Sequence, residues 1–153
     1  MKKNNLTLWK WTFGAYCLLM LWLLFGQRIG SGAYGDGENR MNLELLSTVR
    51  WFLHVLREVE DPAIRRHAAV NLLGNVVMFV PLGFFLPLLW EKLRKICLFL
   101  PAVLGILLAI ELIQLATALG CCDVDDLLLN LPGAFLGYLA ALPFRKKTAK
   151  SPS

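Results

Sequence analysis

Residues 67–87 read HAAVNLLGNVVMFVPLGFFLP, and this stretch decides the fold class. It is long and apolar enough to cross a bilayer as a helix, although it contains two asparagines and a central proline. The span that it predicts runs over residues 68–90, and three further apolar stretches lie at residues 9–25, 97–119 and 127–144. With 57% hydrophobic and 18% charged residues, the 153-residue chain is too apolar for a soluble domain. The sequence therefore predicts one domain, residues 1–153, that is an all-α integral membrane bundle of four transmembrane helices.

Positive residues in the flanks of the spans predict their orientation, because lysine and arginine resist translocation. They lie before the first span, between the second and third, and after the fourth. These residues are Lys2, Lys3, Lys10, Lys92, Arg94, Lys95, Arg145, Lys146, Lys147 and Lys150. Both termini are therefore predicted to be cytoplasmic, with a flexible basic tail at residues 145–153. The net charge of +5 reflects this bias and does not indicate nucleic acid as a partner.

The segment between spans one and two, residues 26–67, contains an amphipathic stretch. In MNLELLSTVRWFLHVLREVED, residues 41–61, apolar residues recur at helical spacing, and Arg50 and Arg57 lie on the other face. This pattern predicts an amphipathic helix in the outer membrane interface. Its arginines are either solvated above the bundle or in contact with anionic lipid or a phosphate-bearing substrate.

The first span and the cysteines each leave alternatives open. A basic start, a short apolar core and small residues at 31–33 also fit a signal peptide, but the even number of spans favours an uncleaved anchor. The four cysteines are expected to be free thiols. Cys121 and Cys122 in the outer turn retain a lipid-anchored or redox role as an alternative.

Eight polar or acidic side chains lie near the ends of three spans, on the side predicted to be outside. They are Asn71, Asn75, Glu111, Gln114, Asp123, Asp125, Asp126 and Asn130. Polar groups in hydrocarbon are costly and usually have a function. Asn71 and Asn75 share a helix face, and so do Asp126 and Asn130, because each pair is four residues apart. We therefore expect the eight residues to converge at one outer mouth.

Pro81 lies in the middle of the second span and is expected to kink it. It frees the carbonyl of Val77, which needs another donor in a membrane. The amides of Asn75 and Gln114 are the candidate donors.

Residues 130–137, NLPGAFLG, predict the local geometry of the fourth span. Pro132 suits the first turn of a helix, so residues 123–130 are a candidate for a short separate or re-entrant segment. Gly133 and Gly137 form a small face for close helix packing.

These motifs together resemble the VanZ-like family of small bacterial membrane proteins over residues 67–140. The family pattern runs N-xxx-N-xxx-F-x-P-x-G, then E-xx-Q, then an arginine shortly before D-x-D-D-xxx-N-xx-G-xxx-G. The residues in register are Asn71, Asn75, Phe79, Pro81, Gly83, Glu111, Gln114, Asp123, Asp125, Asp126, Asn130, Gly133 and Gly137. Asn42 is also similar to the start of a family stretch after the first span. Gly120-Cys121-Cys122 replaces the family arginine, whose role would pass to Arg65, Arg66 or the amphipathic helix.

The resemblance implies a multi-span protein of the bacterial cytoplasmic (inner) membrane, associated with tolerance to teicoplanin and related glycopeptides. No settled mechanism comes with it, and two classes of function fit the residues. The first and favoured class is a non-catalytic envelope factor whose polar core holds the bundle together or binds a headgroup. The second is a membrane-embedded enzyme acting on a lipid-linked envelope substrate or a phospholipid headgroup. In that enzyme Glu111 or Asp126 would be the general acid or base.

Ligand-binding roles follow from the same residues in either class. The candidate substrate-binding residues are Asn71, Asn75, Gln114, Asp123, Asp125, Asn130, Arg65 and Arg66. Asp123, Asp125 and Asp126 are candidate ligands of a divalent cation, because hard cations prefer carboxylate oxygens. The expected partners are membrane lipids, with a lipid-linked cell-wall precursor or a glycopeptide antibiotic as further candidates. The oligomeric state is left open.

Overall fold

The computed structural model describes residues 3–26, 41–42, 44–117, 119 and 122–145. Its helices are α1 (Lys3–Leu24), α2 (Ser47–Glu58), α3 (Pro62–Leu89), α4 (Ile96–Thr117) and α5 (Val124–Ala141). Four of these five helices, all except α2, are long and apolar enough to cross a membrane. This arrangement confirms the predicted all-α membrane bundle with a shorter helix between spans one and two. Predictions about the cleavage site at 31–33, residues 120–121 and the tail from residue 146 lie outside the described residues.

Three short elements complete the description. Single 3-10 turns, Glu91–Arg94 and Leu142–Phe144, follow α3 and α5. A two-residue parallel bridge pairs β1 (Met41–Asn42) with β2 (Cys122–Asp123). This bridge joins the segment before α2 to the start of α5.

Three of the transmembrane helices begin at least three residues earlier than the hydropathy of the sequence predicts, and the first of them, α1, begins at Lys3 instead of residue 9. α3 begins at Pro62 instead of residue 68, because Pro62 suits the first turn and Asp61 Oδ1 accepts from Ala63 N at 2.8 Å. α5 begins at Val124 and continues through Pro132. The alternative of a separate or re-entrant segment at 123–130 is therefore wrong.

The closest helix contact in the bundle joins α3 to α5. A Cβ at Gly133 would collide with the carbonyl oxygen of Val76, and one at Gly137 would collide with that of Val80. Gly83 of α3 has the same relation to the carbonyl oxygen of Ala134. The three glycines therefore let the two backbones touch, as small residues do in membrane bundles.

α1 packs on α3 through aromatic side chains and one hydrogen bond. Phe13 and Tyr16 of α1 lie against Phe85 of α3. The Tyr16 hydroxyl donates to the carbonyl of Met78 at 2.9 Å, one residue beyond the carbonyl that Pro81 frees. The expected donors from Asn75 and Gln114 instead bind other acceptors, described below.

The amphipathic helix α2 packs one face on the bundle. Phe52 and Val55 are buried in a cluster with Ala68 of α3. Trp51 and Arg50 are exposed. The amphipathic pattern of residues 41–61 thus predicted the helix and the burial of Phe52, whereas Leu45 and Leu53 of the predicted apolar face are exposed.

The end of α5 is joined to the turn between α3 and α4. Tyr138 Oη and Arg145 Nη1 both donate to the carbonyl of Arg94, at 2.7 and 3.2 Å. The Arg145 guanidinium also lies 4.0 Å from the centre of the Tyr138 ring. Arg145, the first residue of the predicted basic tail, is thus held by a cation–π contact and by backbone carbonyls.

Candidate functional site

A polar cavity of ≈ 360 Å³ lies between the ends of α1, α3, α4 and α5. Its polar lining residues are Asn71, Asn75, Glu111, Gln114, Asp126 and Asn130. The structure therefore brings together both candidate catalytic carboxylates and the four predicted amide residues. Asp123, Asp125, Arg65 and Arg66 are not among the lining residues.

Helical spacing and the glycine contacts explain how α3 and α5 build this cavity. Asn75 on α3 faces Asp126 on α5, where the glycine contacts hold the two helices close together. The amide Nδ2 of Asn75 donates to Asp126 Oδ1 at 2.6 Å. The acceptor is a carboxyl oxygen, and hydrogen bonds to an ionised carboxylate are shorter and stronger than those to a neutral group.

The amide nitrogens of two other lining residues also donate to protein acceptors. Gln114 Nε2 donates to the carbonyl of Leu24 on α1 at 3.3 Å. Asn71 Nδ2 donates to the carbonyl of His67 at 3.1 Å and lies 3.0 Å from the His67 ring nitrogen Nε2. With Asn75, three of the four amides thus use at least one N–H donor on a protein acceptor. Each carboxamide carries two N–H groups and one carbonyl oxygen, so these side chains can offer a ligand both donors and acceptors.

Asn130 differs from the other amides. The residue is 7% exposed and lines the cavity. Its Oδ1 is buried with no hydrogen-bond partner among the described residues. A buried polar atom without a partner is costly, so Asn130 does not owe its place to a hydrogen bond of this oxygen with the described residues.

Glu111 connects the cavity to the start of α5. It is 4% exposed, and its Oε2 accepts from the backbone N–H of Asp123 at 3.2 Å. Glu111 therefore contacts the loop that carries the aspartate motif while it lines the cavity. Such a buried carboxyl group in a cleft is suited to binding a donor or to proton transfer.

Asp125 lies outside the cavity and caps α2 from a distant part of the chain. Its fully buried carboxylate accepts from the backbone N–H groups of Leu46, Thr48 and Val49, at 2.6, 2.9 and 3.1 Å. Leu46, which precedes α2, has a left-handed φ of 64°. A leucine there is strained by about 1 kcal/mol or more, and the bond to Asp125 stabilises it.

Asp123 joins the same contact from the other side. Its Oδ1 accepts from Asp125 N at 2.9 Å and thereby caps α5. Its Oδ2 accepts from Thr48 Oγ1 at 2.6 Å and from Asn42 Nδ2 at 3.2 Å. Asn42 also donates to Ser47 Oγ at 2.8 Å. We call Asn42, Thr48, Asp123 and Asp125 the α2 anchor.

Sequence reasoning missed two members of the α2 anchor as important residues. Thr48 carries no signal of its own, because a threonine near a helix start is common. Asn42 was noted as similar to a family stretch, and that weak match was the available signal. Asp123 and Asp125 were assigned to substrate binding, whereas their described contacts are with α2 and with the cap of α5.

The three aspartates do not converge on a common point. Asp123 and Asp125 belong to the α2 anchor, whereas Asp126 faces Asn75 in the cavity. Among the residues that the structure describes, no group of three His, Cys, Asp or Glu side chains could hold a metal ion. The expected cation site of Asp123, Asp125 and Asp126 is therefore not formed.

The predicted basic residues beside the site lie apart from it. Arg65 and Arg66 are exposed near the beginning of α3. No lysine or arginine is among the described side chains that line the cavity. The family pattern places an arginine next to the aspartate motif. Neither Arg65 nor Arg66 brings such a cation into the cavity.

Four apolar helices around a buried polar cavity define a polytopic membrane protein. Residues 13–145 match the family model described as VanZ/LLP1, and the chain belongs to this family. Protein VanZ of Enterococcus faecium is 35% identical over 70 residues, which are 44% of this chain and 41% of that protein. The match thus spans less than half of that relative. No solved structure matches the chain.

Proposed function

We propose that this chain is a bacterial cell-envelope protein that contributes to tolerance of teicoplanin and related glycopeptides. It does so by holding the polar head of an envelope molecule in the cavity between α1, α3, α4 and α5. The observation that carries this proposal is a cavity of ≈ 360 Å³ with six polar side chains at one end of an otherwise apolar bundle. Polar groups used only as glue would be expected to pack against one another without such a cavity.

The charge pattern supports placing this cavity on the extracytoplasmic side of the inner membrane. Lys10, Lys92 and Lys95 are exposed at the end of the bundle opposite the cavity. Positive residues in short flanks are retained in the cytoplasm. Both termini are then cytoplasmic, and a ligand reaches the cavity from the outer leaflet or the cell wall.

A second candidate function is favoured by one specific observation. Glu111 and Asp126 line the same cavity beside amide groups, as a general acid or base and its positioning residues would. In this case the protein would be an enzyme acting on a lipid-linked envelope substrate or phospholipid headgroup. Asp126 is positioned by Asn75, whose amide donates to it at 2.6 Å.

Glycopeptide tolerance of cells producing the full chain tests the proposal. Asp126→Asn and Asn71→Leu alter the cavity, whereas Glu91→Gln changes an exposed carboxylate at the opposite end. Tolerance is expressed as the increase that the native chain gives to cells, on a logarithmic scale. We expect each cavity variant to lose at least about half of this increase, and Glu91→Gln to keep it. Equal membrane amounts of each variant are the control. Full tolerance in both cavity variants would contradict the proposal.

Glu111→Gln separates the two candidate functions. It keeps the size and hydrogen-bonding capacity of the side chain but removes the titrating proton. A binding protein with glutamine at this position should keep most of its tolerance phenotype. In an enzyme that uses Glu111 as acid or base, the reaction rate should fall about 100-fold or more, and the tolerance phenotype should be lost with it. Folding is checked by monodisperse elution in detergent.

A further inference from the structure

An apolar groove runs along the bundle between α1 and α4, with α3 as its floor. Its first part, ≈ 210 Å³, shares Leu24 and Ile110 with the polar cavity. A second part of ≈ 760 Å³ shares Leu82 and Ile106 with the first and reaches Trp90. The groove therefore leads from the polar cavity to the opposite end of the bundle.

The length of the groove matches one leaflet of a membrane. Along α3, its floor extends from Phe79 to Trp90, which is about 16 Å at 1.5 Å per residue. One leaflet contributes half of a hydrocarbon core that is about 30 Å thick. Trp90 is half exposed directly after α3, and tryptophan is enriched at the boundary with the lipid headgroups. One acyl chain of the adjacent leaflet can therefore lie in the groove with its head beside Trp90.

Two lysines flank the end of the groove at Trp90. Lys92 lines the larger part, and Lys10 lines a neighbouring space of ≈ 460 Å³ that meets the groove at Trp90. Both lysines are exposed. Glu91 also lines the groove, but its carboxylate pairs with Arg94 at 3.4 Å. Neither lysine has an acidic partner among the described residues, so both ammonium groups are available to an anion.

The other described cations at this end of the bundle lie away from the groove or bind elsewhere. Arg145 binds backbone carbonyls and the Tyr138 ring, and Arg94 donates to the carbonyl of Pro87. Lys95 is exposed and lines neither the groove nor the space beside it. The charge at the groove is therefore positive and comes from Lys10 and Lys92.

This charge favours an anionic occupant over a second copy of the chain. Copies in one membrane share an orientation, so a helix of a second copy in the groove would bring its own basic end to the same depth. Like charges at such short range repel each other. A negatively charged headgroup instead neutralises the two lysines.

We propose that the groove binds an anionic phospholipid, with one acyl chain along Leu82 and Ile106 and the phosphate between Lys10 and Lys92. Lysine ammonium groups form charge-assisted hydrogen bonds with phosphate oxygens, and basic residues at a membrane surface attract anionic lipids. The site lies at the opposite end of the bundle from the polar cavity. The inference therefore does not depend on the proposed function.

Binding to the purified full chain in detergent tests the headgroup and the need for a chain. Dioleoyl phosphatidylglycerol and dioleoyl phosphatidylcholine have the same chains but differ in net charge, whereas soluble glycerol phosphate is an anion without a chain. Native mass spectrometry and thermal shift measure the affinities. We expect phosphatidylglycerol to bind about tenfold more tightly than phosphatidylcholine, and glycerol phosphate to give no shift at the same concentration. Equal binding of the two lipids, or an equal effect of glycerol phosphate, would overturn the proposal.

Lysine variants test the place of the phosphate. Lys10→Gln and Lys92→Gln should each reduce the preference for phosphatidylglycerol to about threefold or less, because each removes one of the two cations. Lys95→Gln is the matched control, since it removes the same charge at the same end of the bundle but away from the groove. It should keep the preference. An equal loss in Lys95→Gln, or no loss in Lys10→Gln and Lys92→Gln, would mean that the phosphate does not bind between these two lysines.

Larger side chains test the path of the acyl chain. Ile106→Phe on α4 and Cys17→Phe on α1 narrow the groove from its two walls, whereas Leu108→Phe adds bulk on an exposed face of α4. At least one groove variant with native helix content should bind phosphatidylglycerol about fivefold more weakly, and Leu108→Phe should bind it normally. Unchanged binding in the folded groove variants would show that the chain lies elsewhere and would overturn the proposal.

Discussion

Single polar residues in this protein divide into two groups that the sequence alone does not separate. Asp123, Asp125 and Asp126 are neighbours in one motif, yet Asp126 lines the cavity while the other two belong to the α2 anchor. Their residue type and their position in the family pattern predicted that all three have a role in the protein. Their roles depend on partners 51 to 81 residues away, such as the backbone N–H groups before and within α2. Residue spacing carries no information about such contacts.

Asp125→Ala should destabilise the protein markedly, because three backbone N–H groups lose their acceptor. We expect a loss of about 2 kcal/mol or more in the free energy of unfolding, measured by thermal or denaturant unfolding in detergent. Asp61→Ala is the matched control, since Asp61 is exposed and caps α3 by one bond. Its cost should be about 1 kcal/mol or less. Equal costs for the two variants would contradict the capping role of Asp125.

Asn130→Leu should act in the opposite direction on stability. It replaces a buried oxygen without a described partner by an apolar group of similar size, so the lipid-free protein should gain about 1 kcal/mol. The measurement is the melting temperature in detergent after delipidation. A lower melting temperature would show that the Asn130 side chain is needed for the empty fold.

At the scale of the helices, hydropathy predicted which segments span the membrane but not where α1, α3 and α5 begin. α3 and α5 begin at caps formed by Asp61 and Asp123, which lower the mean hydropathy although they stabilise the helix. The predicted small face of Gly133 and Gly137 does contact another helix. Which helix it contacts could not be predicted, because that depends on how four spans are arranged in three dimensions.

Gly137→Ala should weaken the contact between α3 and α5. The new methyl group would collide with the carbonyl oxygen of Val80, which is backbone and cannot rotate away. We expect a loss of about 1–3 kcal/mol in unfolding experiments in detergent. Gly105→Ala in α4 is the matched control, since nothing lies within 4 Å of its added Cβ. That variant should be neutral or slightly more stable, by up to about 1 kcal/mol.

For the whole molecule, the four-span bundle follows from hydropathy, and the gathering of polar residues follows from their position near span ends. Six of the eight predicted polar residues line one cavity. The apolar groove beside it was not predicted, because it is formed by ordinary leucine, isoleucine and aromatic residues of three helices. Orientation in the membrane stays a prediction from the charge pattern.

Thiol labelling tests this orientation. In intact cells, a membrane-impermeant reagent should modify Cys121 or Cys122, which precede α5 in the sequence. Cys97, an exposed residue at the beginning of α4, should react after lysis only. Single-cysteine variants in which the other three cysteines are alanine give the cleanest assay. Labelling of Cys97 from outside the cell would reverse the orientation and place the cavity in the cytoplasmic half.

The close contact of α3 with α5 has a consequence for biosynthesis. The ribosome completes α3 before α4 and α5, so Asn75 is synthesised 51 residues before its partner Asp126. Until α5 arrives, α3 must keep its asparagines and its glycine surface away from lipid, or shield them with another helix or the insertion machinery. The protein therefore completes its cavity late in translation, and a chain that stalls before residue 124 would be a natural target for membrane quality control.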